Sequence, residues 1–256
     1  MSGSVPWDGG DGGDGGAPRA AVASASAEVF ERLRVLVVAG IPVGVVVVGV
    51  GSRLAMLLLR VTSPEQVRGV KSDDGFTIGQ VTLAGTYNLL MLGAAVGIIG
   101  AAAYRTVAPW LIGRTWFRRV TTAAASGAVV GSMLIHADGV DFTVLKPTWL
   151  AIGLFVALPA AFGAAIGPAV DYVSSPTSPT VRSRRRWALP MLLVACFPPT
   201  LILLPFAAAI LVASMTLRRE LPDVVPARVR FAMQAIWLSI ALAGLVALVG
   251  DIQAIA

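Results

Sequence analysis

The alternation of apolar and polar stretches predicts a chain that crosses a membrane several times. About 20 residues of helix are needed to cross the hydrocarbon core of a bilayer. Six uncharged or weakly charged runs come near that length: 35–59, 79–104, 120–136, 147–169, 188–217 and 231–250. The polar stretches between them are short, so no separate soluble domain is expected there. The pattern therefore predicts an all-α fold, a polytopic transmembrane helical bundle with about six membrane segments.

The fifth run, 188–217, is unusual because it carries four prolines, three of them well inside the run. Pro198, Pro199 and Pro205 each lack a backbone N–H and crowd the preceding turn, which disfavours a straight helix through all of them. The run either crosses once, with a sharp kink at Pro198 and Pro199, or enters the membrane, turns and leaves on the same side. A broken helix at membrane depth is tolerated only where protein or a water-filled cavity surrounds it.

Residues 1–27 differ in composition from the rest of the chain. They contain a repeated Gly-Gly-Asp unit and almost no large apolar side chain, so burial cannot offset the entropy lost on ordering. They also lack the basic region and adjoining apolar stretch of a secretory signal. We predict a disordered tail at 1–27 and a transmembrane helical domain at 28–256, whose first segment is retained as an anchor.

Composition and charge agree with this membrane class. The chain is 56% hydrophobic and 13% charged, whereas soluble domains carry about 25% charged residues. The net charge of +6 comes from arginines in short clusters between apolar runs, which is the pattern of cytoplasmic loops facing anionic lipid. The lipid bilayer is therefore the expected partner, and nucleic acid is not.

The arginines also predict an orientation. Eleven of them share one predicted side: Arg19, Arg32, Arg34, Arg105, Arg114, Arg118, Arg119, Arg182, Arg184, Arg185 and Arg186. The positive-inside rule makes that side cytoplasmic, together with the N-terminus. The last loop carries Arg218, Arg219, Arg228 and Arg230. These four lie outside if the fifth run crosses once, and inside if it re-enters.

Two polar loops of similar sequence lie on the predicted outer side. They read SDDGFTIGQVT at 72–82 and ADGVDFTVLKP at 137–147. Their likeness fits either an internal duplication or ordinary turn and helix-cap chemistry. With the arginine near the outer edge of the first segment, they form a candidate polar outer cluster: Arg53, Asp73, Asp74, His136, Asp138 and Asp141. Arg53 either reaches the lipid headgroups or pairs with one of these acids.

Metal and cofactor sites are not expected. The single histidine, His136, excludes a His-His metal pair within the chain, and the single cysteine, Cys196, excludes a cysteine-based metal or redox motif. The four acids of the outer loops are oxygen ligands of the kind that calcium prefers, but their spacing matches no calcium-loop motif. We predict no metal site, no cofactor and no catalytic residue.

Four segments carry two glycines four residues apart, on one face of a helix. The pairs are Gly40 and Gly44, Gly93 and Gly97, Gly127 and Gly131, and Gly163 and Gly167. Glycine lets helix backbones approach closely inside a membrane, where no hydrophobic effect drives association. The pairs predict tight packing among the first four helices; the alternative is self-association through a glycine face, or packing against another membrane protein.

Three functions fit the sequence. No Asp, Glu or Lys lies at mid-membrane, which argues against an ion-driven carrier, and phosphate-loop, serine-hydrolase and zinc-protease motifs are absent. The leading hypothesis is a non-enzymatic packing or scaffold component of the membrane. The alternative is a small-solute permease or channel with an acidic outer mouth and a polar route from Arg53 past Asn88 to Thr200. A membrane-embedded enzyme is the third.

Several stretches also resemble a known family. They are GSRLAMLLLRVTSP, DDGFTIG, VTLAGT, and DGVDF followed by LKPTWLAIGLF, within about residues 50–160. In these stretches the chain is similar to multi-pass membrane proteins of actinomycete genomes, an uncharacterised family with no assigned function. The resemblance implies a bacterial plasma (inner) membrane location, and it implies no activity and no site residues.

Overall fold

The computed structural model describes residues 16–63, 82–136, 146–182, 187–220 and 226–255. These residues form helices and no strand. The first element, α1, is one continuous helix from Gly16 to Thr62. It is α-helical over Gly16–Val35, Ile41–Val43 and Gly51–Thr62, and π-helical over Leu36–Gly40 and Gly44–Val50. The others are α2 (Leu83–Val107, then a 3-10 turn at Ala108–Trp110), α3 (Thr115–Leu134), α4 (Thr148–Ser174), α5 (Pro179–Arg182), α6 (Ala188–Cys196), α7 (Thr200–Glu220) and α8 (Ala227–Ile255). The predicted all-α class is confirmed, and each predicted segment contains helix.

Four of the predicted segments are long and apolar enough to cross a membrane. These are Ser26–Thr62, Leu83–Trp110, Thr148–Ser174 and Ala227–Ile255, and Thr200–Thr216 is a shorter apolar helix. The third predicted segment lies in a helix that is long enough but not apolar enough over its whole length, because Arg118 and Arg119 lie in the first turns of α3. The uncharged remainder, 120–134, is about 22 Å long at 1.5 Å per residue.

The α1 helix begins at Gly16, inside the segment 1–27 for which the sequence predicts disorder. The alanines of this stretch, AAVASASA, are strong helix formers, and this local preference opposes the predicted disorder. Further along, the two π-helical segments lie on either side of Pro42. Proline has no N–H for the regular i to i−4 bond, so the wider π spacing is one way for the helix to continue past it.

The long helices pack side by side in an antiparallel order. Close approaches pair Gly40 with Gly97 and Gly44 with Gly93 between α1 and α2, and Gly127 with Val156 between α3 and α4. The α4 helix also contacts α1 and α2. We call the end at which α2 and α4 finish and α3 begins the basic end, since Arg105, Arg114, Arg118 and Arg119 lie there.

The last helix, α8, runs parallel to α3. Gly244 lies against Val129, and Leu248, one turn later, lies against Gly131. Counted back along both helices from this contact at 1.5 Å per residue, Ala227 lies about 4 Å farther toward the basic end than Thr115 does. The α8 helix also contacts the 3-10 turn after α2, which lies at the basic end. The α8 helix therefore begins at the basic end.

This position of α8 determines how residues 188–220, which contain the prolines of the fifth predicted segment, are arranged. The step from Glu220 to Ala227 covers at most about 25 Å of extended chain, which is less than the length of α3, about 30 Å. The α7 helix therefore cannot end at the far end of the bundle. Its contacts agree, because α7 packs on Gly16–Val35 of α1 and α6 packs on Leu36–Gly40. Residues 188–220 thus form a helical hairpin that enters and leaves at the basic end.

The break predicted at Pro198 and Pro199 forms the tip of this hairpin. The α6 helix ends at Cys196 and α7 begins at Thr200, whereas Pro205 is accommodated inside α7. Backbone groups freed by the break are satisfied locally: the Phe197 N–H donates to the Leu193 and Val194 carbonyls, and the Thr200 N–H donates to the Phe197 carbonyl. Of the two topologies left open by the sequence, the geometry favours re-entry.

Candidate functional site

Only two members of the predicted outer cluster lie in the described part of the chain. Arg53 is on the last part of α1, and its Nε and Nη2 atoms are buried without a hydrogen-bond partner among the described residues. His136 is exposed just beyond the end of α3. Both belong to the end opposite the basic end. The predicted acidic partners, Asp73, Asp74, Asp138 and Asp141, lie outside the described residues, so the predicted ion pair stays a prediction.

The route expected for a permease is not continuous in the described residues. Asn88 is exposed on the outer surface of α2, whereas Thr200 is fully buried and donates its hydroxyl to the Phe197 carbonyl at 2.6 Å. Between them lies an apolar cluster that includes the fully buried Ile41, Ala94 and Ile98. The polar residues of the expected route therefore lie in separate surroundings.

The eight predicted glycines all lie at contacts within the chain. A Cβ on Gly40 would lie 2.5 Å from the Gly97 carbonyl oxygen, and one on Gly93 would lie 2.6 Å from the Gly44 carbonyl oxygen. The remaining four contact neighbours as follows: Gly127 and Gly131 against Val156, Gly163 against Ser126, and Gly167 against Tyr104. The glycine pairs are thus occupied inside the bundle, and a self-association face built from them would have to displace these contacts.

A buried polar cluster near the basic end was not anticipated from the sequence. The Arg34 side chain is fully buried and binds Glu31 through Nε at 2.9 Å and through Nη2 at 2.5 Å. Its Nη1 donates to the Thr180 hydroxyl at 3.1 Å, and that hydroxyl pairs with Ser178 at 2.8 Å. The Glu31 to Arg34 spacing suggests a local pair, but nothing in the sequence points to Thr180.

This cluster, together with an aromatic pair, joins the hairpin entrance to α1. The Phe30 and Trp187 rings meet edge to face with centroids 6.5 Å apart. Arg34 fixes α5, directly after α4, and Phe30 fixes the residue preceding α6. Thr180 and Trp187 are therefore each held against α1.

Loss of the Arg34 contact should loosen this segment. We expect Arg34→Ala to raise the rate of tryptic cleavage after Arg182 about tenfold in mild detergent, because the charge-assisted hydrogen bonds from Arg34 to the hydroxyl and carbonyl oxygens of Thr180, which join α1 to α5, are lost. Arg32→Ala is the matched control, since its pair with Glu28 is partly exposed and lies inside the same helix, and such i,i+4 helical pairs contribute only about 0.3–0.5 kcal/mol. Equal cleavage rates in the two variants would contradict the role given to Arg34.

Neither the metal-ligand residue types of the described chain nor comparison with known proteins indicates a function. Within the described residues, no group of three or more His, Cys, Asp and Glu side chains is arranged to hold a metal ion. The chain matches no protein-family model, no curated protein and no solved structure. The function is therefore argued from the residues and their arrangement.

Proposed function

We propose that this protein is a non-enzymatic component of the bacterial plasma membrane that packs laterally against a transmembrane helix of another membrane protein. The observation that carries this proposal is the Asn88 side chain. It is exposed on α2 and makes no hydrogen bond to any described residue. In the membrane interior, an amide on a helix surface is most favourably satisfied by a polar group on a neighbouring helix.

The depth of Asn88 supports this reading. The next residue, Leu89, places its carbonyl oxygen 3.2 Å from the Cβ position of Gly49. Gly49 lies about 20 Å of helix before the end of α1 at Thr62, and it is deeper than Arg53. Along its own helix, Asn88 lies about 8 Å from the start of α2 at Leu83, inside the apolar span Leu83–Trp110, where few water molecules compete for the amide.

The surface around Asn88 has the form of a helix-docking stripe. Leu92 and Ile99 follow Asn88 along α2 at helical spacing, and their side chains are 52% and 50% exposed. Asn88 therefore lies at one end of an exposed apolar surface, which we call the Asn88 stripe. A partner helix that covers the Asn88 stripe can contribute a hydrogen-bonding side chain opposite Asn88. The permease alternative lacks comparable support, because the described residues contain no continuous polar route.

Photo-crosslinking in cells tests the proposal. A photoreactive amino acid at position 88 should give a discrete protein adduct, whereas one at Val246, which is 72% exposed on α8, should react with lipid. An adduct with twice the mass of the chain identifies a second copy as the partner, which would overturn assignment to another protein. Lipid adducts alone at both positions would reject lateral packing through α2.

Substitution of the amide gives an independent measurement. We expect Asn88→Leu to reduce the crosslinked partner recovered through the neighbouring position 92 about fivefold or more, because an interhelical hydrogen bond contributes about 1–2 kcal/mol. Asn88→Gln keeps the amide and should retain the partner. If Asn88→Leu recovers as much partner as wild type, the amide is not the basis of recognition.

A further inference from the structure

A small cavity lies at the basic end of the bundle, between α2, α3 and α4. Its volume is about 60 Å³, roughly four times the space that one water molecule requires. Its polar lining comes from Tyr104 on α2, Thr115, Arg118, Arg119 and Thr122 on α3, and Asp171 on α4. The size suits a group with about four oxygen atoms.

The hydrogen-bonding capacity of the two arginines is largely unused. Arg118 donates Nη2 to the Ala108 carbonyl at 2.7 Å, which fixes the side chain and leaves its other N–H groups without described partners. Arg119 is exposed and makes no hydrogen bond to a described residue. Asp171 forms no ion pair with either one within the described chain. The cavity is therefore lined by two guanidinium groups and one carboxylate that form no ion pair with one another in the described chain, which leaves it one net positive charge.

The ligand that best fits these groups is a phosphate ester. Guanidinium groups bind phosphate oxygens with matched geometry, and basic pockets between membrane helices are suited to lipid headgroups. Thr115 is the first residue of α3, and Arg114 before it makes no side-chain cap, so the positive end of the helix dipole also faces the cavity region. Asp171 can accept a hydrogen bond from a headgroup hydroxyl.

We propose that this cavity binds the phosphate of an anionic phospholipid headgroup from the leaflet at the basic end. Arg118 and Arg119 hold the phosphate oxygens, and Asp171 accepts a hydrogen bond from a hydroxyl of a glycerol headgroup. The site is separate from the Asn88 stripe, and it does not depend on the function proposed for that stripe. It would fix one lipid at the junction of three helices.

Native mass spectrometry of the full chain in mild detergent tests this site. The lipid probes are phosphatidylglycerol and phosphatidylcholine, and inorganic phosphate is the competing anion. We expect phosphatidylglycerol to bind more tightly than phosphatidylcholine, and Arg119→Gln to weaken its binding about tenfold, because a charge-assisted contact is lost. Arg119 is exposed and makes no described hydrogen bond, so its replacement should leave folding intact.

A matched control separates a defined site from general attraction to charge. Arg228→Gln removes the same charge from the exposed start of α8, outside the cavity, and should leave lipid binding unchanged. Equal weakening by both variants would overturn the site in favour of diffuse attraction. Displacement of the lipid by inorganic phosphate at comparable concentration would overturn the lipid assignment, since it would identify a free anion as the ligand. Equal binding of the two lipids would overturn the charge preference.

Discussion

Gly97→Ala is expected to lower the free energy of unfolding by about 1–3 kcal/mol, the usual range for an overpacked interface. A Cβ at this position would fall on the Gly40 carbonyl oxygen and 2.7 Å from the Gly40 carbonyl carbon. Both are backbone atoms, so no side chain can rotate out of the way. The α1 and α2 helices would have to separate along the contact that Gly44 and Gly93 share. Reversible unfolding in mixed detergent micelles measures the change.

Gly153→Ala is the matched control for this prediction. No atom lies within 4 Å of a Cβ placed at Gly153, and replacing a helical glycine removes a propensity penalty of up to about 1 kcal/mol. The control should be as stable as wild type, or slightly more stable. If both variants unfold alike, the close glycine contact between α1 and α2 does not contribute as described.

The sequence predicts most of the helical architecture because membrane helices leave strong local signals. An uncharged run such as 147–169 can satisfy its backbone only as a helix, and α4 is found at Thr148–Ser174. Adjacent prolines remove successive N–H donors, so the break after Cys196 is also a local property. The glycine spacing of Gly93 and Gly97 indicates a packing face without naming the partner helix.

The features that carry the proposals depend on contacts between distant parts of the chain. Arg34 and Thr180 are 146 residues apart, and a charge count treats that arginine as one more cytoplasmic residue. The cavity at the basic end needs the position of α4 against α3, which no local pattern gives. Asn88 is visible in the sequence as an intramembrane amide, but only the packing of α2 shows which face it occupies.

The re-entrant hairpin is expected to produce an all-or-none labelling pattern. In a Cys196→Ser background, single cysteines would replace Thr177, which follows α4, and Ala227, which begins α8. Both residues are exposed, and both lie at the basic end if residues 188–220 enter and leave there. A third cysteine in place of His136, exposed after α3, reports the opposite end. Each position should therefore be either fully reactive or fully protected in intact cells.

The arrangement of the basic end is the central claim, because it decides whether residues 188–220 enter and leave on the same side. Labelling with a membrane-impermeant maleimide, before and after permeabilisation, tests it most directly. We predict that the cysteines at 177 and 227 react only after permeabilisation, whereas the cysteine at 136 reacts in intact cells. Reaction of 177 and 227 from opposite sides of the membrane would contradict it.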